Sequence, residues 1–356
     1  MAVAAIAACT KSEVEYTNLN EISIAPVASN VTKSVAGYNG NTFDGVFPTD
    51  IDLYVFANAV EGTYSSTNAG SPYFKNAQFE WKDGIGTTTE VENIGAPNNK
   101  TATAGAYAGN PTRYWPNVKT LVFAGYSDAC GLSKTTPTMD FANNALTIPA
   151  YTQDNATYTT EGANDLMWFP CDGRAYSKQA NEIVAQMKHA CSWITINVAK
   201  HTNLSNIEYK LDQLELASFA HKGKVVCTKD GATWDELDNK TPEVYCKLTT
   251  DNTLSTTPTN FETNKNNFIV IPQTPVDLNV TYTYTSDSTN GLTLTETKPV
   301  SLKFNNDTAW QSGVHYIYNI TITATEILID PVVVAWTEYD YDNNTEGNQP
   351  IPVTVQ

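Results

Sequence analysis

The chain has 356 residues, 41% hydrophobic and only 17% charged, with 21 Lys and Arg against 38 Asp and Glu, a net charge of −17. That field repels phosphate backbones and anionic lipid, and no basic run overrides it, so nucleic-acid binding is excluded. Past the first residues no apolar stretch is long enough for a membrane-crossing helix. The length suits two or three domains. Thr, Asn, Ser and Tyr replace the missing charge, and 19 Tyr and 7 Trp favour half-buried strands over helices.

The chain opens Met1-Ala-Val-Ala-Ala-Ile-Ala-Ala-Cys9. A short apolar run, small residues and then Cys form the end of a signal peptide. Ile6-Ala7-Ala8-Cys9 resembles a lipobox, in which Cys9 receives lipid; small side chains let the peptidase grip extended backbone. No charged n-region precedes it, so residues 1–9 read as a signal remnant. An Ala-rich start with an accidental Cys is the alternative. Lys11-Ser-Glu13-Val-Glu15 then makes a polar tether for a lipid-anchored precursor. Beyond Cys9 lie Cys130, Cys171, Cys191, Cys227 and Cys246. Their odd number leaves a thiol free or paired between chains, and no C-x-x-C suggests zinc or redox chemistry. The expectation is buried thiols acting as small apolar residues, with room for one disulfide.

Strand patterns recur along the rest. Ile22-Ser-Ile24-Ala-Pro-Val27 is the first. Ile51-Asp-Leu53-Tyr-Val55-Phe-Ala57 alternates, and Thr120–Tyr126 is a continuous apolar run suited to a core strand. Leu146-Thr-Ile148 ends against Pro149. Residues 154–176 are rich in Asn, Thr and Gly around Leu166-Met-Trp-Phe169, and a domain boundary is placed there. Gln179–Lys188 has helical composition, yet its tail alternates as a lead-in to the strand Trp193–Val198. Tyr209–Leu216 reads as a strand, with helix left open. Phe268–Ile271 precedes Pro272. Leu278–Tyr284 and Leu292–Thr297 alternate around a turn ending in Asn290-Gly291, the clearest hairpin in the chain. Tyr316–Ile322 alternates last, with Tyr316, Tyr318, Ile320 and Ile322 on one face, and the apolar strand Val332–Ala335 follows. Short strands and turns on both sides of the boundary predict an all-β chain of two sandwiches in tandem.

Three landmarks carry a family resemblance. Asp165-Leu-Met167 is followed after a loop by Met187-Lys-His189-Ala-Cys-Ser192-Trp-Ile194. Trp310-Gln-Ser-Gly313-Val-His-Tyr316-Ile-Tyr318 is the second, and Trp336 the third. With the lipobox, their order and spacing resemble the Bacteroidales fimbrillins, the type V pilins. The resemblance implies two transthyretin-like β-sandwich domains and export as an outer-membrane lipoprotein. It implies cleavage by a Lys- or Arg-specific protease. It also implies head-to-tail polymerisation with other copies and related pilins by donor-strand exchange, for surface adhesion. Residues 1–9 are then the signal remnant, 10–33 a pro-segment, 34–172 and 173–340 the two domains, and 341–356 a donor tail. Cleavage is expected between Lys33 and Ser34, in a Gly/Ser/Asn-rich stretch. Many relatives carry Arg there, and Lys11 is the competing site. Ile351, Val353 and Val355 alternate and supply the donor face, while Pro350 and Pro352 limit pairing to one edge. The bland alternatives are an ordinary edge strand at Ile22–Val27 and a self-paired tail.

Nothing in the sequence marks a catalytic, cofactor or metal site. His189, His201, His221 and His315 stand apart from metal motifs. Asp340-Tyr-Asp342-Asn-Asn344 lacks the Gly and Glu of a calcium loop. Tyr107, Tyr114 and Trp115 suit core packing better than a glycan platform. The competing functional reading is a monomeric, glycan-binding surface lipoprotein tethered at Cys9.

Overall fold

The computed structural model describes residues 21–28, 51–83, 105–116, 119–127, 136–153, 165–171, 173, 175–176, 183–204, 207–250, 252–261, 268–285, 291–303 and 309–335. Among these the chain is all-β, broken by one short 3-10 turn at Thr202–Leu204. In the first half the strands are β1 (Ser23–Ala28), β2 (Leu53–Val60), β3 (Ser71–Asp83), β4 (Gly105–Gly109), β5 (Thr120–Ser127), β6 (Thr138–Asp140), β7 (Ala145–Thr152), β8 (Met167–Phe169) and β9 (Ile183–His189). In the second they are β10 (Ser192–Lys200), β11 (Glu208–Thr228), β12 (Gly231–Lys247), β13 (Thr259–Asn260), β14 (Phe268–Val270), β15 (Asp277–Thr285), β16 (Thr293–Ser301), β17 (Val314–Ile322) and β18 (Ile327–Ala335).

The first sandwich closes on itself, in the order β1-β4-β3-β2-β5-β8-β9. Leu53, Val55 and Ala57 of β2 and Leu121 and Phe123 of β5 point into this barrel. Phe56, Val60, Val122, Ala124 and Tyr126 point out of it, into a second core with Ile148, Tyr151, Cys191, Val225 and Cys227. Both faces of β5 are therefore buried, which accounts for its unbroken apolar run. β3 shows no such pattern, because a bulge interrupts it. Asn76 has φ +47°, and Val55 and Ala57 pair with Ala77 and Phe74, so β3 carries one extra residue. The side chain of Asn76 accepts a hydrogen bond from Tyr126 Oη at 2.8 Å.

The second unit is a sandwich around a core that includes Ile194, Ile196, Leu214, Leu216, Phe219, Trp310, Tyr318 and Ile320. One sheet runs β13-β10-β17-β18, with β14 also on β10. β11 organises the other. β12 lies along one edge of β11. On its opposite edge β15 pairs over Glu208–Leu216 and β7 over Lys222–Cys227. β6 and β7, from before residue 172, thus complete a sheet of the second unit, while β9, from after it, closes the barrel. β7 runs through Pro149 instead of ending there. Ile148 faces Val225 and Tyr151 faces Gly223, so Pro149 lies in a bulge where no ladder bond is lost.

Two buried glutamines stitch the crossing. Ile271 N donates to Gln153 Oε1 at 2.9 Å, and Gln153 Nε2 donates to the Ile269 carbonyl. Gln273 Oε1 accepts from Ala220 N at 2.9 Å, and its Nε2 donates to the Ala220 and Ile271 carbonyls at 3.3 and 3.2 Å. Each amide acts as a neighbouring strand would. Gln273→Leu removes Ala220's buried partners and should cost about 2–4 kcal/mol. The check is a lower urea midpoint with an unchanged slope.

Candidate assembly site

β1 closes the barrel through both of its edges. It runs antiparallel to β4, with Ser23 opposite Ala108 and Ile24 opposite Tyr107. It runs parallel to β9 over five positions, from Ile24 opposite Ile183 to Ala28 opposite Met187. Just before the strand, Ile22 N donates to the Arg113 carbonyl at 2.8 Å, and Glu21 bridges Tyr114. The Glu21–Lys82 contact, 3.7 Å and partly exposed, adds little.

Alternation then fixes which side chains enter. Ile22 and Ile24 are both 0% exposed, packed in the barrel core with Phe79, Tyr107, Ile183 and Met187. Their burial contributes about 3–6 kcal/mol. Pro26 faces Ala185 of β9, beyond the last β1–β4 pair, so its missing N–H weakens no β4 bond. β9 is the strand whose sequence suited either helix or strand. Its buried Ile183, Ala185 and Met187 settle the period as two.

The first resemblance landmark is one physical unit. Asp165 and His189 are both buried, with His189 Nδ1 2.9 Å from Asp165 Oδ2, a bond tying the approach to β8 to the end of β9. Met167 pairs with His189, and Met167 N donates to Ser127 Oγ at 2.9 Å. The second landmark locks the lead into β17. Trp310 Nε1 donates to Tyr318 Oη at 2.9 Å, Gln311 N to Tyr316 Oη at 2.9 Å, and Gly313 N to the Cys191 carbonyl at 2.8 Å. Burial pushes the phenols of Tyr316 and Tyr318 above their ordinary range.

The remaining candidates separate. Tyr107 and Trp115 are core residues, while Tyr114 is 42% exposed and its carbonyl accepts from Tyr73 Oη at 2.8 Å. Cys171, Cys191, Cys227 and Cys246 are buried and form no disulfide among the described residues. Burial raises the pKa of Cys227, which makes its thiol inert. His201 is half-buried with its Nδ1 2.7 Å from Asn203 Oδ1, and His221 lies 3.5 Å from Glu243. Cys9, Cys130, Lys33, Ser34, Trp336, Ile351, Val353 and Val355 lie outside the described residues.

The arrangement defines an all-β protein whose first barrel is completed by an N-terminal strand. Its fold is similar to a fimbrial protein from Bacteroides vulgatus, at 16% identity and a TM-score of 0.57, covering 89% of this chain and 100% of that one. A proposed cell adhesion protein from Bacteroides uniformis matches at 15% identity and 0.46, covering 89% and 100%. The tip fimbrial protein Mfa3 from Porphyromonas gingivalis, with a C-terminal truncation, matches at 9% and 0.34, covering 80% and 94%. No curated protein sequence gives a significant match. Residues 51–336 match the family described as fimbrillin-like, and the chain belongs to that family.

His315 supplies a titration test of the fold. Its ring stacks on Trp193 at 3.6 Å, and Nε2 lies 2.8 Å from Thr195 Oγ1. Burial lowers its pKa from 6.5 to about 4. The unfolded chain takes up a proton below 6.5 that the fold resists until about 4. This contribution is therefore complete above pH 6.5 and is lost as pH falls through that window. With the ring's exposed edge discounted, the loss is on the order of 2 kcal/mol. His315→Phe should flatten that part of the stability profile, read from urea midpoints at pH 7 and 4.5.

Proposed function

We propose that this chain is a structural pilin subunit, exported as a lipoprotein through Cys9, cleaved after Lys33 and polymerised by donor-strand exchange to serve surface adhesion. One observation carries the reading: β1 is paired on both edges, fills the barrel with Ile22 and Ile24, and stands upstream of Lys33. Cutting after Lys33 leaves β1 attached only by non-covalent contacts. Its departure unpairs the facing edges of β4 and β9 and opens an apolar groove, a state that demands another strand.

Ile351, Val353 and Val355 have the period that such a groove accepts, and their source is the tail of a neighbouring copy. Each contact joins one chain's tail to another's barrel, so repetition yields a filament rather than a ring. The family membership and the fimbrial fold support this reading. In this account the partners are other copies and related pilins, a Lys- or Arg-specific protease, and the outer membrane for the precursor.

Intact mass and N-terminal sequencing of cell-derived protein should show lipid on Cys9 in the precursor and a start at Ser34 in the mature chain. Lys33→Ala should hold the chain in its longer form. Deleting residues 349–356 should abolish filaments of the mature chain, read by electron microscopy. Filaments of normal length from the truncated chain contradict the proposal.

A further inference from the structure

The hairpin of β15 and β16 carries an unusual surface. Nine consecutive pairs join the strands without a register shift, from Asp277 opposite Ser301 to Thr285 opposite Thr293. Three of them are Thr–Thr pairs on one face. The Thr281–Thr297 and Thr283–Thr295 hydroxyls are each 2.9 Å apart, and those of Thr285–Thr293 are 3.5 Å apart. Among the described residues β16 pairs only with β15, so it is an edge strand. At its start Leu292 is 64% and Leu294 38% exposed.

Edges of this length are ordinarily guarded by charge, proline or a bulge. The guard in β16 is uneven. Lys298 and Pro299 protect its C-terminal half, and nothing comparable stands in Thr293–Thr297 apart from Glu296. Close hydroxyl approach marks the three threonine pairs as the non-hydrogen-bonded type. Thr293, Thr295 and Thr297 therefore turn their N–H and C=O groups to the open edge. Pro299 falls in the same phase, its ring nitrogen facing outward as edge prolines do.

We propose that β16 is a self-association edge, at which a second copy pairs its own β16 antiparallel about a two-fold axis at Thr295. The occupant follows from self-complementarity. In this register Thr293 meets Thr297 of the second copy, Thr295 meets its counterpart, and both Pro299 residues fall at the ends opposite Gly291. Every outward donor in the central stretch then finds an acceptor. On the threonine face the rows become Thr285-Thr293-Thr297-Thr281 and Thr283-Thr295-Thr295-Thr283, four threonines wide across four strands. On the other face Leu294 approaches Leu294 of the second copy diagonally, and Leu292 meets the aliphatic stem of Lys298, so the two exposed leucines are covered. Shifting the axis to Thr297 instead sets Pro299 against Thr295 near the centre, where its ring meets a carbonyl. The contact is isologous and closes as a pair. Where chains also run head to tail it bundles them side by side, but the pairing does not depend on that reading.

The test uses the full chain and the chain lacking residues 349–356, followed by sedimentation equilibrium over a concentration series. Both should rise toward twice the monomer mass. Thr295→Pro removes the donor at the axis while sparing the β15 ladder, and Thr295→Lys sets like charges face to face. Both variants should stay monomeric with unchanged circular dichroism and melting temperature. Mild oxidation of Thr295→Cys should give a symmetric disulfide dimer faster than the exposed control Thr233→Cys. A mixture of Thr293→Cys and Thr297→Cys should cross-link to each other in preference to themselves. A parent monomeric throughout, or Thr295→Cys cross-linking no faster than the control, overturns the proposal. Self-linkage of Thr297→Cys alone overturns the register.

Discussion

The barrel depends on β1 being held from both sides. Its antiparallel contact with β4 is brief and its parallel contact with β9 longer, and neither strand can complete the barrel without it. Two isoleucines convert that backbone closure into a core, because Ile22 and Ile24 occupy space that Phe79 and Tyr107 would otherwise expose to water. An unpaired sheet edge and an empty apolar slot are each unfavourable, and here they coincide in one segment. The same coincidence makes the segment replaceable in principle. Any strand with apolar side chains at period two satisfies both needs.

The rest of the molecule keeps the barrel in shape while that strand is in question. Phe56, Val122 and Tyr126 on the barrel's outer side share a core with Ile148, Tyr151 and Val225. β6 and β7 complete a sheet that belongs to β11, and Gln153 and Gln273 bind the crossing backbone from within. The Asp165–His189 bond anchors the end of β9 independently of β1. None of these links is made by a residue of β1, so losing that strand removes none of them.

Regular strands were legible in the sequence, and their partners were not. The β15–β16 hairpin followed from alternation around an Asn-Gly turn, and its nine-pair ladder has no slip. The face of Tyr316, Tyr318, Ile320 and Ile322 emerged buried as the alternation required. β3 stayed hidden because the extra residue at Asn76 reverses the phase between Phe74 and Ala77. β12 stayed hidden for a similar reason, with Glu236 at φ +52° and charged residues along an edge. Ile22–Val27 announced a strand, but nothing local could announce a parallel partner as distant as β9. The Asp-Leu-Met and His-Ala-Cys-Ser landmarks were visible as separate strings, and only the fold showed that Asp165 and His189 touch.

What matters most is whether β1 must leave before chains can join. Ser23→Cys with Ala108→Cys places a disulfide across the antiparallel β1–β4 pair, at a separation such a bond spans. Electron microscopy of this doubly substituted chain after processing, with and without reductant, addresses the question. The account requires no filaments while the disulfide holds and normal filaments once it is reduced. Filaments assembled with the disulfide intact would show that the barrel stays closed during assembly, and would contradict it.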